Sequence, residues 1–291
     1  MTSTLTRITQ KEIGKPFADS FSPNSNLSPL EQTLNMIFEE ELNKKDSIFI
    51  KVDKNVIPKI ASFILSSTKK CASIGIAGET ASGKSTVAYD IITSIQDFAQ
   101  EFEIENAITR INTDDYYYDR SEMVKAAGSF AKFTKNYDLD VPQAIELELM
   151  KKHIQELLLG KQVLLPKYDM SGTAIRYDNF TLATPSKIII SEGLFSLTDN
   201  IKDAFDFKIY VDVTQKTQAE RFFIRAKERD LGENAQNILD NASEKAHIYI
   251  RPCKQCADIV LSGEADRSCY KSFINRLIKL IQTIHCNKTA V

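Results

Sequence analysis

The run Gly78-Glu79-Thr80-Ala81-Ser82-Gly83-Lys84-Ser85 constrains this chain more than any other segment. It fits the phosphate-loop pattern G-x-x-x-x-G-K-[ST] in full. Residues 72–77 before it are typical of a buried strand, and residues 86–98 after it have helical spacing. In such a unit, glycines let consecutive N–H groups and the helix N-terminus point at a phosphate. The run therefore predicts a binding site for a nucleoside triphosphate.

The predicted nucleotide-binding residues follow one another without a break: Gly78, Glu79, Thr80, Ala81, Ser82, Gly83, Lys84, Ser85 and Thr86. Lys84 offers a positive charge to the phosphates, and Ser85 offers a hydroxyl group to a magnesium ion. The loop alone does not separate GTPases, ATPase motors and small-molecule kinases, so other features must decide the class.

Size and charge limit the remaining possibilities. With 291 residues, 43% of them hydrophobic, the chain is long enough for one large α/β core with extensions. Its formal net charge of −2 gives no general reason to expect nucleic acid or a membrane as a partner. Residues 1–26 lack the apolar stretch of a signal peptide, and no run of about eighteen apolar residues occurs, so we expect a cytoplasmic protein.

The cysteines and histidines predict no metal centre or disulfide framework. The chain has five cysteines, and an odd number in a chain of this length suggests reduced thiols. Cys253 and Cys256 form a C-x-x-C pair, but no second pair completes a zinc site. His153, His247 and His285 each stand alone in helical-looking segments, so we expect solvated or capping roles for them rather than catalytic ones.

Three segments are predicted along the chain. Residues 1–27 are polar and contain prolines, so we expect a disordered leader. Residues 28–70 contain two stretches with helical spacing, which we expect to pack on the core because about forty residues make a poor independent core. Residues 71–291 form the predicted main domain, and residues 121–137 within it suit either a mobile flap or a solvated helix.

Polar residues follow two apolar segments that are typical of strands of a parallel sheet. The segment 107–112 leads into the paired carboxylates Asp114 and Asp115, and the segment 187–190 leads into Glu192. In an open parallel sheet, residues just beyond the carboxyl ends of the strands line the ligand crevice. We therefore predict an α/β fold of the P-loop NTPase type, with a doubly wound parallel sheet, flanking helices and an amino-terminal helical extension.

A basic helix follows the predicted strand 207–213. Arg221, Arg225 and Arg229 are spaced four apart and share one face. Two interpretations stay open: ion pairs with neighbouring acidic residues such as Glu228 and Asp230, or a cationic lid over the polyphosphate.

The motifs of other triphosphate-using classes are incomplete here. Residues 169–172 read D-x-x-G, as in GTPases, but no N-K-x-D follows. Transporters would show L-S-G-G-Q, of which residues 261–264 keep only a fragment. Both classes therefore fall behind small-molecule kinases.

An ordered set of short motifs resembles the uridine-cytidine kinases and their phosphoribulokinase relatives over about residues 71–262. After the phosphate loop the motifs are Asp114-Asp115-Tyr116-Tyr117, Asp140-Val141-Pro142-Gln143-Ala144, Pro166-Lys167-Tyr168-Asp169, Ile190-Ser191-Glu192-Gly193-Leu194, Arg229-Asp230 and Pro252 to Leu261. The resemblance implies a P-loop kinase that uses ATP and Mg²⁺ to phosphorylate a hydroxyl group of a small molecule, typically the 5′-hydroxyl of a nucleoside.

The resemblance also implies roles for individual residues. Asp114 matches the carboxylate that accepts the proton of the acceptor hydroxyl, close to magnesium, and Lys84 is the lysine of the phosphate loop. Arg225 and Arg229 fall in the lid over the phosphates. Tyr117, Asp140, Tyr168 and Arg176 match acceptor-binding positions, and Ser85, Glu192 and Asp114 match the magnesium shell.

The acceptor half departs from the family pattern. Val141 stands where the family has histidine, Gln143 where it has aspartate, and Thr173 near the position of the base-contacting histidine. Alternatives to a nucleoside kinase therefore stay open: a kinase for a sugar phosphate, pantothenate or glycerate, or an inactive nucleotide-binding protein whose amino-terminal helices contact a partner. We also allow for a homo-oligomer.

Overall fold

The computed structural model of the protein describes residues 27–66, 71–229 and 232–289. The leader predicted for residues 1–27 lies outside the described residues, apart from Leu27. The helices of the described part are α1 Pro29–Leu42, α2 Val56–Leu65, α3 Lys84–Glu101, α4 Ser121–Ala127, α5 Phe130–Phe133, α6 Leu147–Leu158, α7 Gln215–Glu228, α8 Ala235–Lys245 and α9 Arg267–Thr289. The strands are β1 Phe49–Val52, β2 Ala72–Gly78, β3 Ile108–Asn112, β4 Val163–Tyr168, β5 Arg176–Ala183, β6 Ile188–Glu192, β7 Phe207–Asp212 and β8 Ile259–Ser262.

The central sheet has the strand order β1-β8-β7-β2-β6-β3. Strands β2, β3, β6, β7 and β8 are parallel, and β1 pairs antiparallel with β8 at one edge. From β2 the chain first continues to β3 on one side and later to β7 on the other, so β2 marks the switch point where ligand crevices open. This arrangement confirms the predicted α/β class with a mostly parallel sheet and flanking helices.

Helices cover both faces of the sheet. On one face α6 contributes the buried residues Met150 and Ile154, in a cluster that includes Ile189 of β6. On the other face α3 contributes Val87 and Ala88, in a cluster that includes the neighbouring Ile190. Because successive residues of a strand point to opposite faces, burial of both faces explains the uninterrupted apolar run of β6.

The segment before the phosphate loop contains a strand that was not predicted from the sequence. Ser28 caps α1, and the Ser28 and Glu31 side chains form a capping box. β1 follows and extends the sheet. The rings of Phe38, Phe49 and Phe273 pack with centroid separations of 4.9–5.2 Å, which joins α1, β1 and α9. The division at residues 70 and 71 stays a prediction.

Two features lie over the carboxyl end of the sheet. β4 and β5 form a two-stranded antiparallel sheet. The stretch 121–137, for which the sequence suited either a flap or a helix, contains the short helices α4 and α5.

Among the helices described, none has both the length and the apolar character that crossing a bilayer requires.

Candidate active site

The phosphate loop joins the end of β2 to the start of α3. Gly83 caps α3 with φ of 93°, a left-handed conformation that favours glycine. Ala81 is also left-handed, with φ of 58°, and is buried. A Cβ atom on Gly78 would lie 2.6 Å from both Ser82 Oγ and the Val211 carbonyl oxygen. The turn is therefore tight and partly strained, as expected for a loop that wraps an anion.

The Ser82 hydroxyl lies inside this loop. Its Oγ atom is buried and has no hydrogen-bond partner among the described residues. A buried hydroxyl without a partner costs free energy, so it is a site where a ligand oxygen would fit. The loop and its free donor thus suit a phosphate group.

Four charged side chains surround the start of α3. Burial lowers the pKa of Lys84, while the negative charges of Asp114 and Glu192 oppose that shift and the positive charge of Arg225 adds to it. Burial raises the pKa of Asp114, and the charge of Lys84 opposes the increase. The structure therefore brings these four predicted site residues together in one electrostatic cluster.

Glu192, the last residue of β6, connects this cluster to the phosphate loop. Its side chain is only 5% exposed. Ser85 donates a hydrogen bond of 3.0 Å from Oγ to Glu192 Oε2, and Arg110 donates one of 2.7 Å from Nη2 to Oε1. A buried carboxylate needs such partners because its desolvation is costly. The two bonds fix the carboxylate beside the loop serine.

The paired carboxylates after β3 have different surroundings. Asp114 is the member of the pair whose charge interacts with Lys84. Asp115 instead accepts a hydrogen bond of 3.3 Å from the backbone N–H of Tyr168, and burial raises its pKa too. Asp115 therefore fixes β4 against the turn after β3, which leaves Asp114 as the carboxylate beside the loop lysine.

The three arginines of α7 differ in their surroundings, so neither ion pairing nor a lid over the polyphosphate describes all of them. Arg221 donates from Nη2 to the Gly263 carbonyl oxygen at 2.9 Å and from Nη1 to the Ser82 carbonyl oxygen at 3.5 Å. It therefore supports the loop from behind. Arg225 is exposed, and its charge reaches Lys84. Arg229 caps the carboxyl end of α7 and is exposed, without an ion-pair partner in the part of the chain that the structure describes.

A large cleft opens next to the charge cluster, with a volume of about 960 Å³. Predicted acceptor residues Tyr117, Asp140 and Tyr168 all line it, together with Phe130 and Tyr137. The rings of Tyr117 and Tyr168 lie 5.2 Å apart at an angle of 37°. The Tyr168 hydroxyl oxygen is buried and lacks a hydrogen-bond partner among the residues described. The cleft thus combines aromatic rings with polar and charged side chains.

Helix α8 closes the other side of this cleft. Lys245 pairs with Asp138 at 3.0 Å, and Asn241 donates a hydrogen bond that lowers the pKa of Asp140. Burial and the neighbouring Asp138 outweigh this bond and raise the pKa of Asp140. Helix α8 is therefore attached to the loop that carries Asp140, the predicted acceptor-binding carboxylate.

Arg176 is the one predicted acceptor residue that does not line the cleft. Its Nη1 atom lies 2.6 Å from Glu146 Oε2, and both side chains are partly buried. Its assignment as an acceptor residue stays a prediction.

His153 is buried rather than solvated, and its Nδ1 atom lies 2.9 Å from the Tyr116 hydroxyl oxygen. The side chain of His285 lies outside the described part.

The donors around the loop fit a magnesium ion that arrives with a nucleotide. In the described ranges no group of three or more His, Cys, Asp and Glu side chains is arranged to hold a metal ion alone. Magnesium, however, prefers hard oxygen ligands and often takes one or two protein groups plus phosphates. The Ser85 hydroxyl and the carboxylates of Glu192 and Asp114 are hard oxygen donors of this kind.

Cys253 of the C-x-x-C pair is buried in a turn, where its Sγ donates to the Tyr249 carbonyl oxygen.

Several residues of the site were missed in the sequence. Arg110 lies in the strand segment Ile108–Asn112, and because its side chain is half-exposed, its charge alone did not indicate a partner such as Glu192. Gln218 and Arg251 contact the phosphate loop from segments more than 130 residues later, where no local pattern indicates their role. The spacing of Arg221 was recognised, but its contact with the loop backbone was not expected.

Comparison with known proteins gives consistent results. The chain matches the model described as "Phosphoribulokinase / Uridine kinase family" over residues 73–268. A protein named uridine kinase from Halobacterium salinarum is 31% identical over 201 residues, which cover 66% of this chain and 80% of that protein. One of the same name from Clostridium perfringens is 32% identical over 196 residues, covering 65% and 85%.

Solved structures with a similar fold include two kinases. The phosphoribulokinase from Rhodobacter spheroides aligns with a TM-score of 0.51 and 16% identity, covering 67% of this chain and 71% of that one. The D-glycerate 3-kinase from Cryptococcus neoformans aligns with a TM-score of 0.50 and 11% identity, covering 79% and 97%. At these identities the likeness concerns the fold alone, and it confirms the predicted P-loop kinase architecture.

Proposed function

Because the chain belongs to the phosphoribulokinase/uridine kinase family and is an ATP-dependent phosphotransferase with a hydroxyl group as acceptor, we propose that its acceptor is a nucleoside. The transferred γ-phosphoryl group would go to the 5′-hydroxyl, and uridine and cytidine are the leading candidates. The names of the relatives support this proposal.

The composition of the cleft is the observation that carries the proposal. A nucleoside presents a flat base and a ribose with vicinal hydroxyl groups. The tilted pair of Tyr117 and Tyr168 offers aromatic faces to a base. Asp140, on the same cleft, offers a carboxylate that accepts hydrogen bonds from ribose hydroxyls.

The mechanism follows from the arrangement of charges. Phosphoryl transfer depends mostly on positioning and on neutralising charge around the phosphates. Lys84 and Arg225 would supply positive charge, and Asp114 would accept the proton of the attacking hydroxyl. A magnesium ion held by Ser85, Glu192 and Asp114 would neutralise further charge on the phosphates.

A second candidate acceptor follows from two other residues of the cleft. Lys132 and Lys135 line it, and neither takes part in an ion pair between described residues. Free cations at the mouth of a cleft favour an acceptor that carries an anionic group, such as a sugar phosphate or glycerate. The missing family histidine at Val141 is compatible with this alternative.

The test is an assay of ADP formation with ATP and magnesium against a panel of acceptors. The panel contains uridine, cytidine, purine nucleosides, pantothenate, glycerate and pentose phosphates, and the Lys84→Ala variant controls for contaminating kinases. Turnover with a nucleoside is expected. Turnover restricted to an anionic acceptor would replace the nucleoside proposal with the second candidate, and ATP binding without turnover on any acceptor would contradict both.

A further inference from the structure

Glu79 places a negative charge inside the phosphate-binding loop. Its side chain is 13% exposed. An unpaired carboxylate at this position would repel a polyphosphate and would itself be costly to bury. The loop therefore needs a compensating cation that is not Lys84.

Arg251 supplies that cation through a two-pronged contact. Its Nε atom donates to Glu79 Oε1 at 2.8 Å, and its Nη2 atom donates to Oε2 at 3.1 Å. Nη2 also donates to Ser243 Oγ at 3.1 Å. Bidentate pairs of this kind fix orientation as well as charge. Arg251 follows α8 in the chain, so the contact joins the phosphate loop to the carboxyl end of the cleft-closing helix.

Gln218 of α7 holds the same corner of the loop. It is 5% exposed, and its Nε2 atom donates to Glu79 Oε2 at 3.3 Å and to the Thr80 carbonyl oxygen at 3.1 Å. In a trans peptide the carbonyl and the following N–H point in opposite directions. Fixing the Thr80 carbonyl toward α7 therefore directs the N–H of Ala81 away from α7.

We propose that Glu79 and Arg251 are a positioning pair for the phosphate loop. Arg251 cancels the charge of Glu79 and holds the loop in its binding conformation, so the affinity for ATP depends on Arg251 through Glu79. The proposal rests on the use of ATP and is independent of the identity of the acceptor. It assigns the pair a role that is electrostatic as well as structural.

A double-mutant cycle on ATP binding separates these two roles. ATP affinity is measured calorimetrically, without any acceptor, for Arg251→Met, Glu79→Gln and the double variant. Arg251→Met leaves the carboxylate uncompensated and should weaken ATP binding by about tenfold. Glu79→Gln should bind ATP at least as tightly as the unaltered protein, and the double variant should recover most of the affinity lost in Arg251→Met.

Other outcomes overturn the proposal. A purely structural pair would give a double variant as weak as Arg251→Met, and a Glu79→Gln variant weakened to the same extent. Arg276→Met is the control for loss of an arginine–glutamate pair, since Arg276 of α9 pairs with Glu40 at 2.5 Å; it should leave ATP affinity unchanged. If thermal unfolding shows that Arg251→Met does not fold, Glu79→Gln is the test. In that case weaker ATP binding by Glu79→Gln contradicts the proposal that the charge of Glu79 opposes ATP binding. Absence of ATP binding by the unaltered protein would instead reject the proposed function.

Discussion

Ser85 donates a hydrogen bond of 3.0 Å to Glu192, which links the last residue of the phosphate-loop motif to the last residue of β6. The other carboxylate oxygen of Glu192 is held by Arg110. Strand pairing between β2 and β6 sets the two elements in register, with Ile76 opposite Glu192. The Glu192 carboxylate is therefore already oriented for a ligand that binds to the Ser85 hydroxyl.

Replacing Glu192 by glutamine should raise the magnesium requirement. The amide keeps a hydrogen-bond acceptor for Ser85 but loses the charge that attracts a divalent cation. We expect the magnesium concentration for half-maximal activity to rise by about tenfold or more. Calorimetric binding of ATP with and without magnesium measures the effect apart from turnover. Glu40→Gln is the control, and an unchanged magnesium dependence in Glu192→Gln would remove Glu192 from the metal shell.

Replacing Asp114 by asparagine should abolish most phosphoryl transfer while ATP still binds. Loss of a general base typically costs about 10² or more in rate. Asp115→Asn is the matched control, because Asp115 accepts a hydrogen bond from the Tyr168 backbone and an amide oxygen can continue to do so. Steady-state kcat and calorimetric ATP affinity are measured for both. Equal losses of kcat in the two variants would show that Asp114 is not the base.

The raised pKa of Asp114 predicts the acidic limb of the pH profile. A base acts in its deprotonated form, so transfer should be retained above the raised pKa and lost as the pH falls through it. Burial raises this pKa and the charge of a bound magnesium ion would lower it, so activity at low magnesium should begin to fall at a higher pH than the usual aspartate range, and the fall should move to lower pH as magnesium is added. The residual activity of Asp114→Asn should lack this limb. If the activity of Asp114→Asn still fell at the same acidic pH, the titrating group would be a residue other than Asp114.

Gly263 should not tolerate a side chain. A Cβ atom there would lie 2.0 Å from the Ser82 carbonyl oxygen, and this neighbour is backbone, so relief requires the phosphate loop to shift. We expect Gly263→Ala to lower the free energy of unfolding by about 1–3 kcal/mol and to weaken ATP binding as well.

Gly232→Ala is the control for Gly263→Ala. Gly232 is left-handed, but a Cβ atom there would meet no other atom within 4 Å, so the substitution should affect stability and leave ATP affinity alone. Denaturant titrations and calorimetry give the two quantities. Full ATP affinity in Gly263→Ala would mean that the loop adapts without cost.

Removing the Tyr168 hydroxyl should affect the acceptor and spare the fold. The hydroxyl oxygen is buried without a partner among the described residues, so Tyr168→Phe removes a polar group whose burial is uncompensated. We expect an unchanged midpoint of thermal unfolding, an unchanged KM for ATP and a KM for the acceptor raised by about fivefold. Tyr117→Phe serves as comparison, since the Tyr117 hydroxyl donates to the Leu139 carbonyl oxygen. An unchanged acceptor KM in Tyr168→Phe would place the hydroxyl outside the acceptor site.

Local patterns in the sequence predicted most of the elements. The phosphate loop and β6 each have a pattern complete within ten residues, and both formed where expected. β1 and β5 were missed because β1 is only four residues long and β5 is exposed along most of its length, so neither shows a clear apolar period.

The site was predictable where chemistry follows from a motif. Lys84 and Asp114 come after the ends of β2 and β3, Glu192 is the last residue of β6, and the parallel sheet brings these strand ends together. The supporting contacts were not predictable, because Arg221 and Arg251 act on the loop from distant segments through backbone and side-chain geometry. Arg176 shows the reverse case, in which a matching position is occupied by a residue that pairs with Glu146 instead of lining the cleft.

The antiparallel pairing of β1 with β8 has a consequence for the order of folding. Phe49 of β1 pairs with Leu261 of β8, more than 200 residues later, so the first strand of the described part is among the last to find its neighbour. Contacts of such long sequence separation slow folding and leave apolar surface uncovered in the meantime. During synthesis the ring of Phe49 therefore lacks its Phe273 neighbour until α9 has been made.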